Sequence, residues 1–197
     1  LEGAGEALSV GAALVFLRSN YGNPMDSHLI TGSNARRYLV NMEGVSQRNK
    51  ILALMTGISG PECIISEEML VWDSGPAVSE ISKLPDRSQN KLLEAIVASI
   101  EDLPRPDWEE TNLDEVYAPE GVKEVIVLAK QYCNKGYDPM ALFEAMGELV
   151  CQDDYTELHS IKQHQAILDE FVATREPMRW VYLVSAVKEA AVVYSGR

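Results

Sequence analysis

The chain has 197 residues, of which 46% are apolar and 24% are charged, a composition typical of a globular protein and not of a disordered one. Acidic residues outnumber basic ones by 30 to 17, which gives a formal net charge of −13. A surface this acidic is repelled by phosphate backbones and by anionic lipids, so nucleic acid and membrane surfaces are excluded as expected partners.

Cysteine usage indicates a reducing compartment. The three cysteines, Cys63, Cys133 and Cys151, are odd in number, far apart and without a C-x-x-C spacing. That pattern argues against a disulfide framework and against a zinc knuckle. No apolar run is long enough for a transmembrane helix, so we expect a cytoplasmic protein. Because the chain begins with Leu1 and not with Met, we expect its first two residues to be either a cloning scar or the edge of a fragment of a longer polypeptide.

The N-terminal part predicts short helices separated by turns. The segment Glu6–Arg18 spaces its larger apolar residues among small ones, as a buried helix does. After a break at "NYGNPMD", two short helices are expected, "SHLITG" and "ARRYLVNM", with Ser33 or Asn34 capping the second. Ser46 is expected to cap a further helix that ends near Gly57.

The remainder of the chain predicts longer helices with clear end signals. The segment "DRSQNKLLEAIVASIED" places five apolar residues on one side of an amphipathic helix: Leu92, Leu93, Ile96, Val97 and Ile100. Residues 103–120 form the longest irregular segment. Beyond it, Gly136 is expected to adopt the left-handed conformation that ends an α-helix. Asp138 is expected to be the N-cap of the next helix, with Pro139 at its first position. Pro177 is expected to begin the last helix.

The fold class expected from these elements is all-α. No stretch alternates apolar and polar residues with a period of two, so no sheet is expected. Typical helix and loop lengths predict an orthogonal or antiparallel array of about seven to nine helices. The array fills residues 1–197 either as one domain or as two packed lobes, 1–102 and 121–197, joined by 103–120.

Two of the three histidines, His159 and His164, lie in the segment Tyr155–Phe171. Five residues turn an α-helix by roughly 140°, so these two imidazoles cannot chelate one metal ion from one helix. The apolar stripe that we expect to face the core is centred on four residues: Leu158, Ile161, Leu168 and Val172. His164 then lies beside the buried face, either as a satisfied contact between helices or, with Glu157, as a pair lining a cavity. His159 lies on the opposite side of the helix. It would be exposed to solvent if the helix is peripheral, and it would face a second layer of helices if the helix is central.

The third histidine, His28, precedes turn and cap residues that include Thr31 and Asn34. A histidine beside a helix N-terminus suits acid–base chemistry or anion binding, and it equally stabilises a local turn. The adjacent Arg36 and Arg37 either clamp a carboxylate or phosphate of a ligand or form salt bridges with the many acidic side chains.

Two segments resemble a known family. Residues 28–40, "HLITGSNARRYLV", are similar to an H-x-x-T-x-x-N-A-x-R segment, and residues 153–166, "DDYTELHSIKQHQA", to an acidic stretch followed by F-H-x-x-Q-x-x-E-A. The pair resembles an all-helical family that accompanies Rieske-type iron–sulfur domains and is similar to questin-oxidase-like oxygenases. The resemblance implies functional polar positions at four residues: His28, Thr31, Asn34 and His159. Leu158, Lys162 and Gln165 replace the expected Phe, Gln and Glu, and the last change removes a candidate metal ligand or base.

The first functional hypothesis is a helical oxidoreductase of the oxygenase type, with a histidine–carboxylate site between helices. Its catalytic residues are His28, His159 and Glu157. Its cofactor-binding residues are Thr31, Asn34 and Arg36. Iron or another divalent metal has four candidate ligands: His28, His159, His164 and Asp154. The chain has no Cys-x-His pair of its own, so any Rieske-type cluster is expected on a partner domain.

The second hypothesis is a non-catalytic helical module. It would bind a small apolar or aromatic molecule in a pocket, or a partner helix in a groove. The seven methionines and the aromatic residues suit such a surface, and they suit an ordinary core equally well. Metal content and its loss on His159→Ala discriminate between the two hypotheses.

Overall fold

Helices make up most of the described chain. The computed structural model describes residues 1–20, 27–56, 78–105, 118, 120–153, 156 and 158–194. Within these ranges it contains a 3-10 helix, Glu176–Met178, and nine α-helices: α1 (Glu2–Arg18), α2 (Ser27–Asn41), α3 (Gln47–Met55), α4 (Val78–Ile81), α5 (Gln89–Glu101), α6 (Val122–Asn134), α7 (Pro139–Val150), α8 (His159–Ala173) and α9 (Trp180–Val193). These ranges contain no β-strand. The prediction of an all-α fold with seven to nine helices is therefore confirmed.

Helix α9 lies at the centre of the fold. Every residue from Val181 to Val193 is buried, and α9 contacts α1, α5, α6, α7 and α8. A helix that is apolar on nearly all sides is stable only in the interior, where other helices cover each face. One apolar core, with members from Val10 to Tyr194, surrounds it. The division into two lobes stays a prediction, because most of the proposed connection, residues 106–117 and 119, lies outside the described residues.

A buried lysine ties the central helix to the end of α1. Lys188 of α9 has no exposed surface, and its Nζ donates to the carbonyl oxygens of Phe16 and Ser19 at 2.5 Å each. The last carbonyls of a helix lack intrahelical partners and carry partial negative charge. Lys188 therefore supplies both the hydrogen bonds and the charge that the C-terminal end of α1 requires.

Several helix ends follow their local sequence signals. The Ser46 hydroxyl accepts a hydrogen bond from the Asn49 backbone N–H at 3.3 Å, as an N-cap does. Asp138 caps α7 in the same way, with Pro139 at the first helical position. Gly136, just after α6, has a φ of +66°, the left-handed conformation expected of a helix stop.

Two predicted boundaries were wrong. Residues expected to form two short helices belong to the single helix α2, in which Ser33 and Asn34 are internal. The Ser33 hydroxyl donates to the Leu29 carbonyl of the preceding turn at 2.8 Å, so it bonds within the helix and caps nothing. The last helix begins at Trp180, because Pro177 lies in the short 3-10 helix before it.

Candidate functional site

Helices α2 and α8 lie side by side and run in the same direction. His28, in the first turn of α2, lies against His159, the first residue of α8. Further along both helices, Asn34 bonds to Glu170, and Arg37 bonds to the Thr174 hydroxyl beyond the end of α8. Because the contacts advance in the same order along both chains, the two N-termini lie at the same end. Both imidazoles therefore lie where the positive ends of two helix dipoles meet.

The His28–His159 pair is the centre of the candidate site. The ring centroids are 5.8 Å apart, and the ring planes meet at 81°. His159 Nδ1 lies 2.9 Å from the Thr156 carbonyl oxygen, which can only accept, so Nδ1 carries a proton and donates. In the neutral ring Nε2 then keeps its lone pair and is able to bind a metal ion or accept a proton. The first hypothesis requires this proximity, which the structure provides, while the catalytic roles stay predictions.

A groove follows the α2–α8 contact beside the histidine pair. Its volume is about 480 Å³, within the range of small-molecule sites, about 300–1,000 Å³. Eight residues line it: Thr31, Asn34, Leu158, Ile161, Lys162, Gln165, Ala166 and Asp169. Thr31 follows His28 by one helical turn, and Lys162 follows His159 by one turn, so the pair lies at one end of the groove. The groove combines an apolar rim with one cation and one carboxylate.

The charged side chains at the other end of the α2–α8 contact form an ion pair, and we call this the closed end because both charges are bonded within the protein. Arg37 Nη1 donates to Glu170 Oε2 at 2.6 Å, and the two side chains are 6% and 2% exposed. Asn34 Nδ2 donates to the second oxygen of Glu170 at 3.2 Å, and Arg37 also donates to the Ala173 carbonyl and the Thr174 hydroxyl. Both oxygens of Glu170 are thereby bonded within the protein. This end stabilises the packing of α2 against α8, and the salt-bridge alternative for Arg37 is the correct one.

His164 lies away from the pair, on the side of α8 that faces α7. Its ring packs against Phe143 with centroids 6.0 Å apart. A Cβ at Gly147 would lie 3.3 Å from His164 Nε2, so the glycine makes room for the imidazole. Burial lowers the pKa of His164, and a hydrogen bond with the Phe143 backbone partly opposes that shift. Of the predicted metal ligands, the structure therefore brings together His28 and His159 and places His164 with α7.

The predicted inner face of α8 was wrong. Leu158, Ile161 and Val172, assigned to the core, are 65%, 44% and 63% exposed. The buried residues of the helix are instead Ser160, Gln163, Ala166, Ile167, Glu170 and Phe171. Three of these six are polar, and one of them, Glu170, is bonded to Asn34 and Arg37 of α2, which lie far away in the sequence. Hydrophobicity along this segment alone therefore selected the wrong face.

The remaining predicted site residues have different outcomes. Thr31 and Asn34 line the groove, as a ligand-binding role requires. Arg36 does not, since its Nε donates at 3.2 Å to the Thr56 carbonyl, just beyond α3. Asp154 and Glu157, the two predicted carboxylates, lie outside the described residues, so their roles stay predictions.

In the ranges that the structure describes, no group of three or more His, Cys, Asp or Glu side chains is arranged to hold a metal ion. Nor is any described helix both long and apolar enough to cross a membrane. No family model, curated protein or solved structure matches the chain.

Sequence reasoning missed the polar residues on the inner face of α8. Gln163 follows Ser160 by three residues and Glu170 follows it by ten, a spacing that keeps all three on one side of a helix. That spacing of polar residues was a usable signal, but the apolar stripe on the other side was more hydrophobic. Only the partners from α2, such as Arg37, show which side is buried.

Proposed function

We propose that this chain is a helical oxidoreductase-like protein of the oxygenase type, with the His28–His159 pair as its reaction site. The observation that supports the proposal is the 5.8 Å separation of the two rings, together with the lone pair on His159 Nε2. Two imidazoles that bind one divalent ion through bonds of about 2.0–2.1 Å place their ring centres roughly 5 Å apart. The observed separation of 5.8 Å is close to that value, so the spacing of the two rings is compatible with one shared ion.

The residues around the pair have distinct proposed roles. His28 and His159 would hold iron or another divalent ion, with Asp154 or Glu157 as the third, carboxylate ligand. Such an ion would supply the redox chemistry, and a Rieske-type partner domain would supply electrons. The resemblance of residues 28–40 and 153–166 to the oxygenase-associated family supports this assignment.

The substrate would lie in the α2–α8 groove. Leu158 and Ile161 offer apolar contact to a small apolar or aromatic molecule, and Thr31 and Asn34 offer polar contacts that orient it. A ligand in the groove would lie within one helical turn of both histidines along their helices. The proposed site would thus combine a binding surface with a reactive end.

Metal titration of the purified chain tests the proposal. We expect one Co(II) or Fe(II) ion per chain, and at least a tenfold loss of affinity in His28→Ala and in His159→Ala. His164→Gln is the matched control, because His164 contacts Phe143 on the far side of α8, and this variant should bind as the parent does. Absence of binding by the parent, or equal losses in all three variants, would contradict the proposal.

The second candidate function is ligand binding without a metal. It is favoured by the exposed Leu158 and Ile161, which place apolar surface inside a groove large enough for a small molecule. An apolar fluorescent probe should then bind in the presence of chelator and equally well to His159→Ala. Ile161→Glu should abolish probe binding, whereas Val172→Glu should not, because Val172 is also exposed on α8 but does not line the groove. Metal-dependent binding would instead favour the oxidoreductase.

A further inference from the structure

A second polar cluster lies on the buried side of α8, apart from the His28–His159 pair. Four of its atoms have no protein hydrogen-bond partner in the described chain: Ser160 Oγ, Gln163 Oε1, Gln163 Nε2 and His164 Nδ1. Ser160 and Gln163 are each only 1% exposed. Buried polar atoms in folded proteins nearly always have a partner, so this cluster requires a physical explanation.

Helix geometry places the three residues at neighbouring positions of α8. Gln163 follows Ser160 by three residues and His164 follows it by four, so both lie one turn above Ser160 on adjoining sides. By contrast, Glu170, one to two turns further along the same buried face, has both oxygens bonded by Arg37 and Asn34. The missing partners are therefore confined to one place on the inner face of α8.

The hydrogen-bonding capacity of the cluster is complementary to that of water. His164 Nε2 is the ring nitrogen that lies near Gly147 of α7, and Nδ1 has no partner. We therefore assign the hydrogen bond with the Phe143 backbone to Nε2, which leaves Nδ1 as an acceptor. Gln163 adds one acceptor and two donors, and the Ser160 hydroxyl can act as either. A single water molecule could donate to His164 Nδ1 and Gln163 Oε1 while it accepts from Ser160 Oγ. Three protein partners are the number that buried waters typically have.

We propose that Ser160, Gln163 and His164 form a binding site for an internal water molecule that joins three side chains of α8. The site does not depend on the proposed oxidoreductase function, because none of its side chains touches the groove or belongs to the histidine pair. The water would hold the His164 ring in the tautomer that bonds to α7, and so fix the packing of α7 on α8.

Magnetic relaxation dispersion of labelled water tests the proposal directly, because it counts internal water molecules that exchange slowly. We expect at least one such molecule in the parent chain and one fewer in Gln163→Met, a variant of similar volume without the amide. A parent chain with no slowly exchanging water, or a Gln163→Met variant that retains the full number, would overturn the proposal.

The sign of a stability change provides a second, independent test. If Ser160 binds water, Ser160→Ala removes a hydrogen bond and should lower Tm relative to the matched variant Ser185→Ala, or leave it equal. Ser185 is a buried helical serine whose hydroxyl donates to the Val181 carbonyl at 2.7 Å, so its replacement removes one known hydrogen bond. If the cluster were dry, Ser160→Ala would remove an unsatisfied hydroxyl, and a Tm clearly above that of Ser185→Ala would refute the water site.

Discussion

The two ends of the α2–α8 contact use polar residues in opposite ways. At the closed end, Arg37 and Glu170 are nearly inaccessible and bond to each other and to neighbouring groups. At the open end, His28 and His159 are half-buried, only Nδ1 of His159 is bonded to the Thr156 carbonyl, and residues next to both histidines line a groove. A polar group whose hydrogen-bonding capacity is used within the protein stabilises packing, whereas a polar group with spare capacity can act on a ligand.

The closed end also explains why α2 and α8 stay parallel. Moving a charged side chain out of water costs on the order of several kcal/mol unless an opposite charge and hydrogen bonds replace the lost hydration. Only one alignment of the two helices places Arg37 against Glu170 and also places Asn34 within reach of the same carboxylate. The same alignment sets His28 against His159, so the ion pair acts as a positioning device for the open end.

Breaking the closed end should produce the largest effect. We expect Glu170→Ala to lower the free energy of unfolding by about 3–5 kcal/mol, because it leaves the buried Arg37 guanidinium without its counter-charge. Chemical denaturation followed by circular dichroism measures the change. Asp169→Ala, at the exposed neighbouring position, is the control and should shift it by less than about 0.5 kcal/mol. Similar losses of unfolding free energy in both variants would show that the buried Glu170 contributes no more to stability than the exposed Asp169 does.

Two isoleucines on opposite sides of α8 allow a test of which side is buried and which forms the groove. Ile167 has no exposed surface, so Ile167→Ala should cost about 2–5 kcal/mol of unfolding free energy. Ile161 is 44% exposed at the groove, so Ile161→Ala should lower the unfolding free energy by less than about 1 kcal/mol. Equilibrium unfolding in urea compares the two. A larger loss for Ile161 would mean that the side of α8 assigned to the groove is in fact buried.

The third expected effect is the smallest, and it concerns the pH dependence of stability that comes from His164, on the side of α8 that faces α7. Because burial lowers the pKa of His164, the unfolded chain takes up that proton at a higher pH than the folded chain does. Stability is therefore intact above the ordinary histidine pKa, about 6.5, and is lost as pH falls from there through the lowered pKa.

The matched variant for this pH effect is His164→Gln, which cannot titrate. Thermal unfolding measured at intervals between neutral and mildly acidic pH should show a shallower loss of Tm for the variant than for the parent. Parallel curves would mean that His164 does not contribute to the acid sensitivity of the fold.

Much of the secondary structure could be predicted because its signals are local. Ser46, Asp138 with Pro139, and Gly136 act on backbone groups within a few residues, and each ends or begins a helix as expected. The error at Ser33 arose because a serine side chain can bond either to a free helix end or to the preceding turn, and sequence alone does not choose.

Less of the candidate site could be predicted. The meeting of His28 and His159 was expected from a resemblance, but no property of either segment fixes the distance between them. The buried side of α8 was assigned wrongly, since Gln163 and Glu170 are polar residues that hydrophobicity places in solvent. Glu170 is buried only because Arg37, 133 residues earlier, neutralises it.

The sequence was sufficient to predict that this protein is helical, where many of its helices begin and end, and that one of its three histidines is remote in the chain from the other two. Those properties depend on backbone hydrogen bonds and side chains within one or two turns. The tertiary structure alone decided which side of α8 is buried and which two imidazoles meet. The physical reason is that burial of a polar side chain is favourable only when its partner is present, and here the partners come from distant parts of the chain.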